Sequence, residues 1–186
     1  LKGTAKPEPG IVHAAPSVSE QQLYEGIDAF YRSDWEKAHA IFQSLQQEFP
    51  RDARAYFFDA MIPFWEYYFA GEKSAAARSF MRRSNRALDV GRDALKANPT
   101  DTTMVLMLSG LYGYQSLVLA AEKDYRKALQ SGMTGFKYTR QLLKLDAGDP
   151  RALIGKGIFY YMTGSVPDKL KWLTNFAGLS GDMEEG

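Results

Sequence analysis

Asp34-Trp35-Glu36-Lys37-Ala38 returns as Asp124-Tyr125-Arg126-Lys127-Ala128, and the chain closes on a third variant, Asp182-Met183-Glu184-Glu185-Gly186. Each stretch reads as the start of a helix. It offers an Asp to cap the first turn, an apolar or aromatic residue to pack on the preceding helix, two charged residues and a small residue for close helix approach. A second marker recurs beside it: Phe49-Pro50-Arg51-Asp52, Asn98-Pro99-Thr100-Asp101 and Gly148-Asp149-Pro150, with prolines 49 and 51 residues apart. A repeat of that length is the signature of a stacked helical array. Such an array is more often a binding surface than a reaction vessel.

Length and composition agree with one compact helical unit. With 186 residues and 45% apolar content the chain can bury a core without disulfides or a structural metal. The formal net charge of +1 argues against a general polyanion binder, and the lack of cysteine removes disulfides, thiolate ligands and cysteine nucleophiles. From Thr102 to Ala121 no residue is charged, which meets the length criterion for a membrane span. Two serines, two glycines and a glutamine dilute that stretch, and its place in the repeat predicts an inner helix packed on both sides.

The period divides the chain into an extended tail, residues 1–18, and a helical repeat domain, residues 19–186. The units are about 19–52, 53–101, 102–149 and 150–186, the last incomplete. Apolar spacing predicts one helix to about Tyr31 and another from about Asp34 to Glu48. An aromatic-rich helix to about Phe69 follows, and its return helix runs from about Lys73 to Ala97. Pro63 is expected to kink or break the aromatic helix, and Gly132 with Gly135 to bend the helix from Asp124 to Leu145. Residues 165–180 read as an insertion, after which the chain stops where a return helix is due. The expectation is a fragment of a longer protein, or a face covered by exchange with a neighbouring copy.

Taken together these residues resemble the tetratricopeptide repeats. Gly26, Ala38, Phe42 and Pro50 fall at that motif's small, small, aromatic and proline positions. Leu108, Ser109, Tyr112, Tyr125 and Ala128 repeat the register, and so do Gly157, Tyr160, Tyr161 and Gly164. The last unit is similar to a group of exported, mostly uncharacterised bacterial members. The resemblance implies an all-α fold, a right-handed α–α superhelix of about seven or eight helices in hairpins, here with lengthened second helices. It also implies a non-enzymatic scaffold that binds a peptide or protein segment on a concave helical surface, with no cofactor and no metal. The implied location is the periplasm or outer envelope, with the cytoplasm as the alternative. A different reading is a superhelical accessory domain of a larger envelope enzyme whose catalytic part lies beyond Gly186.

In that family ligands lie along the first helices, and the matching positions here are Phe30, Tyr31, Phe57, Met61, Phe64, Trp65, Tyr114, Ile158 and Tyr161. Aromatic side chains provide large contact area at low entropic cost, which suits an apolar or proline-rich peptide. The same side chains would equally serve as core if the long return helices tighten the superhelix. The tail stretch Ile11-Val12-His13-Ala14-Ala15-Pro16 is the kind of extended apolar peptide such a surface accepts, so the tail is expected to lie against it.

Arg78, Arg82 and Arg86 recur every four residues with Arg83 beside them, which places a basic stripe on one helix face. Seven basic and three acidic residues lie between Glu72 and Lys96, against four and seven between Glu20 and Arg54. Such a face suits an acidic partner, an anionic lipid surface or phosphate groups. The plainer reading is a solvated face with Asp89 and Asp93 as local partners. Nucleic acid is the weaker fit because no aromatic platform accompanies the stripe, and a homo-oligomer would also be compatible. Catalytic signals are sparse. His13 falls in the tail, His39 is expected at a surface-facing position, and neither has a companion at metal-ligand spacing. Glu66 is a lone carboxylate between Trp65 and Tyr67, and Gly110 and Gly113 sit within a helix rather than in a phosphate-cradling loop.

Overall fold

The computed structural model describes residues 18–69 and 73–146, together with positions 150, 153 and 157. The tail to residue 17, Ile158, Tyr161, the insertion at 165–180 and the third helix-start variant at Asp182 lie outside the described residues. Six helices and no strand are found among the described residues: α1 (Val18–Tyr31), α2 (Trp35–Glu48), α3 (Ala53–Phe69), α4 (Lys73–Ala97), α5 (Thr102–Ala121) and α6 (Tyr125–Leu145). The described part of the chain is all-α.

The helix starts follow the capping chemistry. Asp34 accepts the backbone N–H of Lys37, Asp101 that of Met104 and Asp124 that of Lys127, so each carboxylate satisfies one orphan donor of a first turn. The turns before α2 and α6 are built alike. Ser33 and Lys123 take the left-handed conformation at φ 62° and 65°. Asp34 N then donates to the Ala29 carbonyl, and Asp124 N to the Leu119 carbonyl. This is the closure expected of a Schellman-type helix end.

Consecutive helices pack in pairs, α1 on α2, α3 on α4 and α5 on α6, and successive pairs meet through α2 with α3 and α4 with α5. Contacts of α3 with α1 and with α5 place the first helices in one layer. One core joins the first two hairpins around Phe42, Phe64 and Phe80, and reaches Val118 of α5. A second joins α3, α4 and α5 around Tyr56, Leu88 and Leu108, and Val105 with Leu142 ties α5 to α6.

Of the two outcomes expected at Pro63, a kink or a break, the break does not occur: α3 runs continuously from Ala53 to Phe69. A proline there removes the N–H that would bond the carbonyl four residues back, and that carbonyl, on Asp59, instead accepts from Arg83 Nη1 of α4 at 3.3 Å. Gly132 and Gly135, where a bend was expected, lie within the continuous helix α6. They are close-approach positions: a Cβ on Gly135 would lie 3.1 Å from the Ser109 carbonyl oxygen of α5, and one on Gly132 would lie 3.1 Å from the Ser116 hydroxyl. One expectation, that His39 faces the surface, is corrected and is taken up with the site.

Among the described residues α5 is the one helix long and apolar enough to cross a membrane. In the fold it lies between α4 and α6, and its polar side chains are matched to both. Gln115 donates to Ser84 and Asn85 of α4, Ser116 to the Ala128 carbonyl of α6, and Ser109 bonds Thr139 and the Gly135 carbonyl. Burying an amide or hydroxyl without such a partner is costly, and no buried side-chain polar atom among the described residues lacks one.

Candidate binding face on the first helices

The aromatic positions of the first helices form a ladder that begins in the core and ends in solvent. Phe64 is only 3% exposed and is the hub. Its ring centroid lies 4.7 Å from that of Tyr114, 5.1 Å from Tyr68, 5.3 Å from Trp65 and 5.4 Å from Phe80. From this hub the rings step outward. Trp65 is half-buried and stacks on Phe69 at 5.7 Å and 14°, while Phe69 itself is 75% exposed. On the other flank Phe30 is buried and meets Tyr31 edge to face at 5.3 Å, with Tyr31 also 75% exposed. Offset and edge-to-face pairs of this kind hold rings in defined positions beyond what area burial alone provides.

Tyr114 of α5 packs on the Phe64 hub. Burial pushes its hydroxyl above the ordinary phenol range, and the neighbouring Tyr31 adds to the shift. Burial likewise raises Tyr68. Both hydroxyls remain neutral donors in ordinary buffers, as a face that mixes apolar area with hydrogen bonding requires.

The positions named from the sequence thus divide. Phe30, Met61 and Phe64 are buried and belong to the core, and Phe57 is half-buried between the two larger cores. Tyr31, Trp65 and Tyr114 reach the surface. Sequence reasoning passed over Tyr68 and Phe69, and the signal for them was present. They are the last residues of α3, beyond the reach of the packing that covers its middle.

The basic stripe divides too. Arg78, Arg82 and Arg86 are exposed, with Arg86 set over the Tyr56 ring at 5.7 Å. Arg83 turns inward, and Asp89 and Asp93 serve Arg92 and Lys96 rather than the stripe. Arg83 enters a polar seam that sequence spacing did not reveal. Asp59, whose side chain is 8% exposed, receives His39 Nδ1 of α2 on Oδ1, and Arg83 Nη1 on the same oxygen at 3.0 Å. A carboxylate only accepts, so Nδ1 carries the proton and Arg83 directs its hydrogen to Asp59 rather than to the ring. His39 is therefore a half-buried partner joining α2 to α3, not a surface-facing residue. No hydroxyl among the described residues bonds to this His–Asp pair, and no group of three or more His, Asp or Glu residues there is placed to hold a metal ion.

No protein-family model matches the sequence, and no curated protein matches it.

Proposed function

We propose that this chain is a non-enzymatic scaffold of tetratricopeptide-like hairpins coiled as a right-handed superhelix. In this reading it holds an apolar or proline-rich peptide segment along the face shared by α1, α3 and α5. The observation that carries the reading is the pair of aromatic steps from core to solvent, buried Phe64 through Trp65 to exposed Phe69 and buried Phe30 to exposed Tyr31. A core has no use for two large rings left three-quarters in water, whereas an interface anchored by rigid aromatics does. The hairpin order, the matched turns at Ser33 and Lys123 and the layer of first helices support the repeat assignment.

The test is peptide display panned on the full chain, followed by the double substitution Tyr31→Ser/Phe69→Ser. Both side chains are exposed, so the fold should survive, and selected peptides should bind the variant about tenfold or more weakly. Failure to select any peptide, or equal binding to the variant, would sink the proposal.

A further inference from the structure

Charge is segregated among these helices. α1 and α2 together carry five acidic residues and one basic one, α5 carries no charge, α4 carries seven basic and two acidic residues, and α6 five basic and none acidic. Local pairing consumes little of this excess. Asp89 and Asp93 answer Arg92 and Lys96, Asp59 answers Arg83, and Asp124 answers Lys127. Lys73, Arg78, Arg82 and Arg86 of α4 remain exposed, as do Arg126, Lys137 and Lys144 of α6. No carboxylate among the described residues forms an ion pair with Arg78, Arg82 or Arg86.

Both basic helices, α4 and α6, pack on the uncharged α5. The cations extend along helices of 25 and 21 residues, about 30 Å or more at the α-helical rise. A charge spread so widely suits a surface of repeated charge better than one acidic peptide. Clusters of Lys and Arg along a helix are drawn to anionic membrane surfaces by charge alone, which leaves the apolar faces of α4 and α6 to the core. The most exposed rings, Tyr31 and Phe69, stand on α1 and α3 and not on the basic helices, where a base-stacking platform for nucleic acid would need them.

We propose that the exposed basic residues of α4 and α6 dock this chain on anionic phospholipid headgroups. Arginine is well suited to the role, because its fork of donors matches phosphate oxygens and its charge is permanent. The contact is electrostatic and screened by salt, and it is independent of the peptide face.

Co-sedimentation of the full chain with phosphatidylcholine vesicles, with and without phosphatidylglycerol, tests this at low and high salt. The expected result is binding only to the anionic vesicles, abolished by high salt. It should weaken about tenfold or more in Arg78→Glu/Arg82→Glu/Arg86→Glu and also in Lys137→Glu/Lys144→Glu, each with an unchanged helical circular dichroism spectrum. Should a charge reversal impair folding, the milder Arg78→Gln/Arg82→Gln pair keeps the comparison valid. Tyr31→Ser/Phe69→Ser should sediment like the parent. Absence of binding, equal binding to neutral vesicles, tighter binding to duplex DNA or polyglutamate at the same salt, or loss in the Tyr31/Phe69 variant would overturn the proposal.

Discussion

Arg83 fills the hydrogen-bonding place that Pro63 leaves empty. The proline cannot donate to the Asp59 carbonyl, and the guanidinium of the next helix donates to that carbonyl and to the Asp59 carboxylate together. A defect in one helix thereby becomes a tie to another, and His39 extends the tie to α2.

The coupling is measurable. Arg83→Met removes a half-buried cation from a buried carboxylate and should destabilise by roughly 3 kcal/mol. In a Pro63→Ala background the restored N–H serves the carbonyl, so the same change should cost about 0.5–1 kcal/mol less. Urea denaturation of the four proteins completes the cycle. Strict additivity would show that the carbonyl bond carries no weight.

Ser33 and Lys123 sit at equivalent points of their hairpins, both with φ above 60°. Left-handed backbone costs a non-glycine residue about 1–2 kcal/mol, and glycine very little. Glycine also loses more chain entropy on folding, so Ser33→Gly and Lys123→Gly should each stabilise by a net of about 0.5–1 kcal/mol. A fall in the urea midpoint for either would mean that the side chain makes a compensating contact.

Tyr67 is buried near the end of α3, and its hydroxyl donates to Glu122 Oε1 at 2.8 Å. Burial, with the Glu122 bond and charge adding to it, pushes the phenol up to about 12. The folded state therefore holds this proton more tightly than the unfolded chain. The resulting stability is fully present below about pH 10, the ordinary phenol value, and is lost as pH rises towards 12. Tyr67→Phe should lower stability by about 1–2 kcal/mol at neutral pH and flatten the alkaline decline between pH 10 and 12. A variant whose alkaline decline matched the parent's would assign that decline to other groups.

Much of the fold was legible because the residues that set it act locally. Asp34, Asp101 and Asp124 cap within three residues of themselves, and the helix ends at Tyr31, Glu48, Phe69 and Ala97 stand where capping and apolar spacing put them. What could not be read depends on partners far along the chain. His39 meets Asp59 twenty residues away and Arg83 forty-four away, so no local pattern marks it as half-buried. The aromatic face was blurred for a different reason. α3 is apolar on every side because it is enclosed by α1, α2, α4 and α5, and periodicity cannot tell Phe64 from Trp65 in a helix without a polar face.

Three glycines separate close packing from mere tolerance. A Cβ at Gly26 would fall 2.6 Å from Cε1 of Phe42, whose ring is fully buried and has nowhere to move. At Gly135 it would meet the Ser109 carbonyl oxygen and the Tyr112 Cβ at 3.1 and 3.2 Å, atoms of a neighbouring helix that cannot swing aside. At Gly113 nothing lies within 4 Å. Overpacking costs typically about 1–3 kcal/mol, whereas replacing an unconstrained mid-helix glycine by alanine gains about 0.5–1 kcal/mol. Thermal melts should therefore rank Gly113→Ala above the parent and the parent above Gly135→Ala, with Gly26→Ala lowest. If Gly113→Ala fell with the other two, α5 would have a neighbour at that position that the described residues do not supply. If Gly26→Ala melted with the parent, the contact of α1 with Phe42 would not set the spacing of the first hairpin.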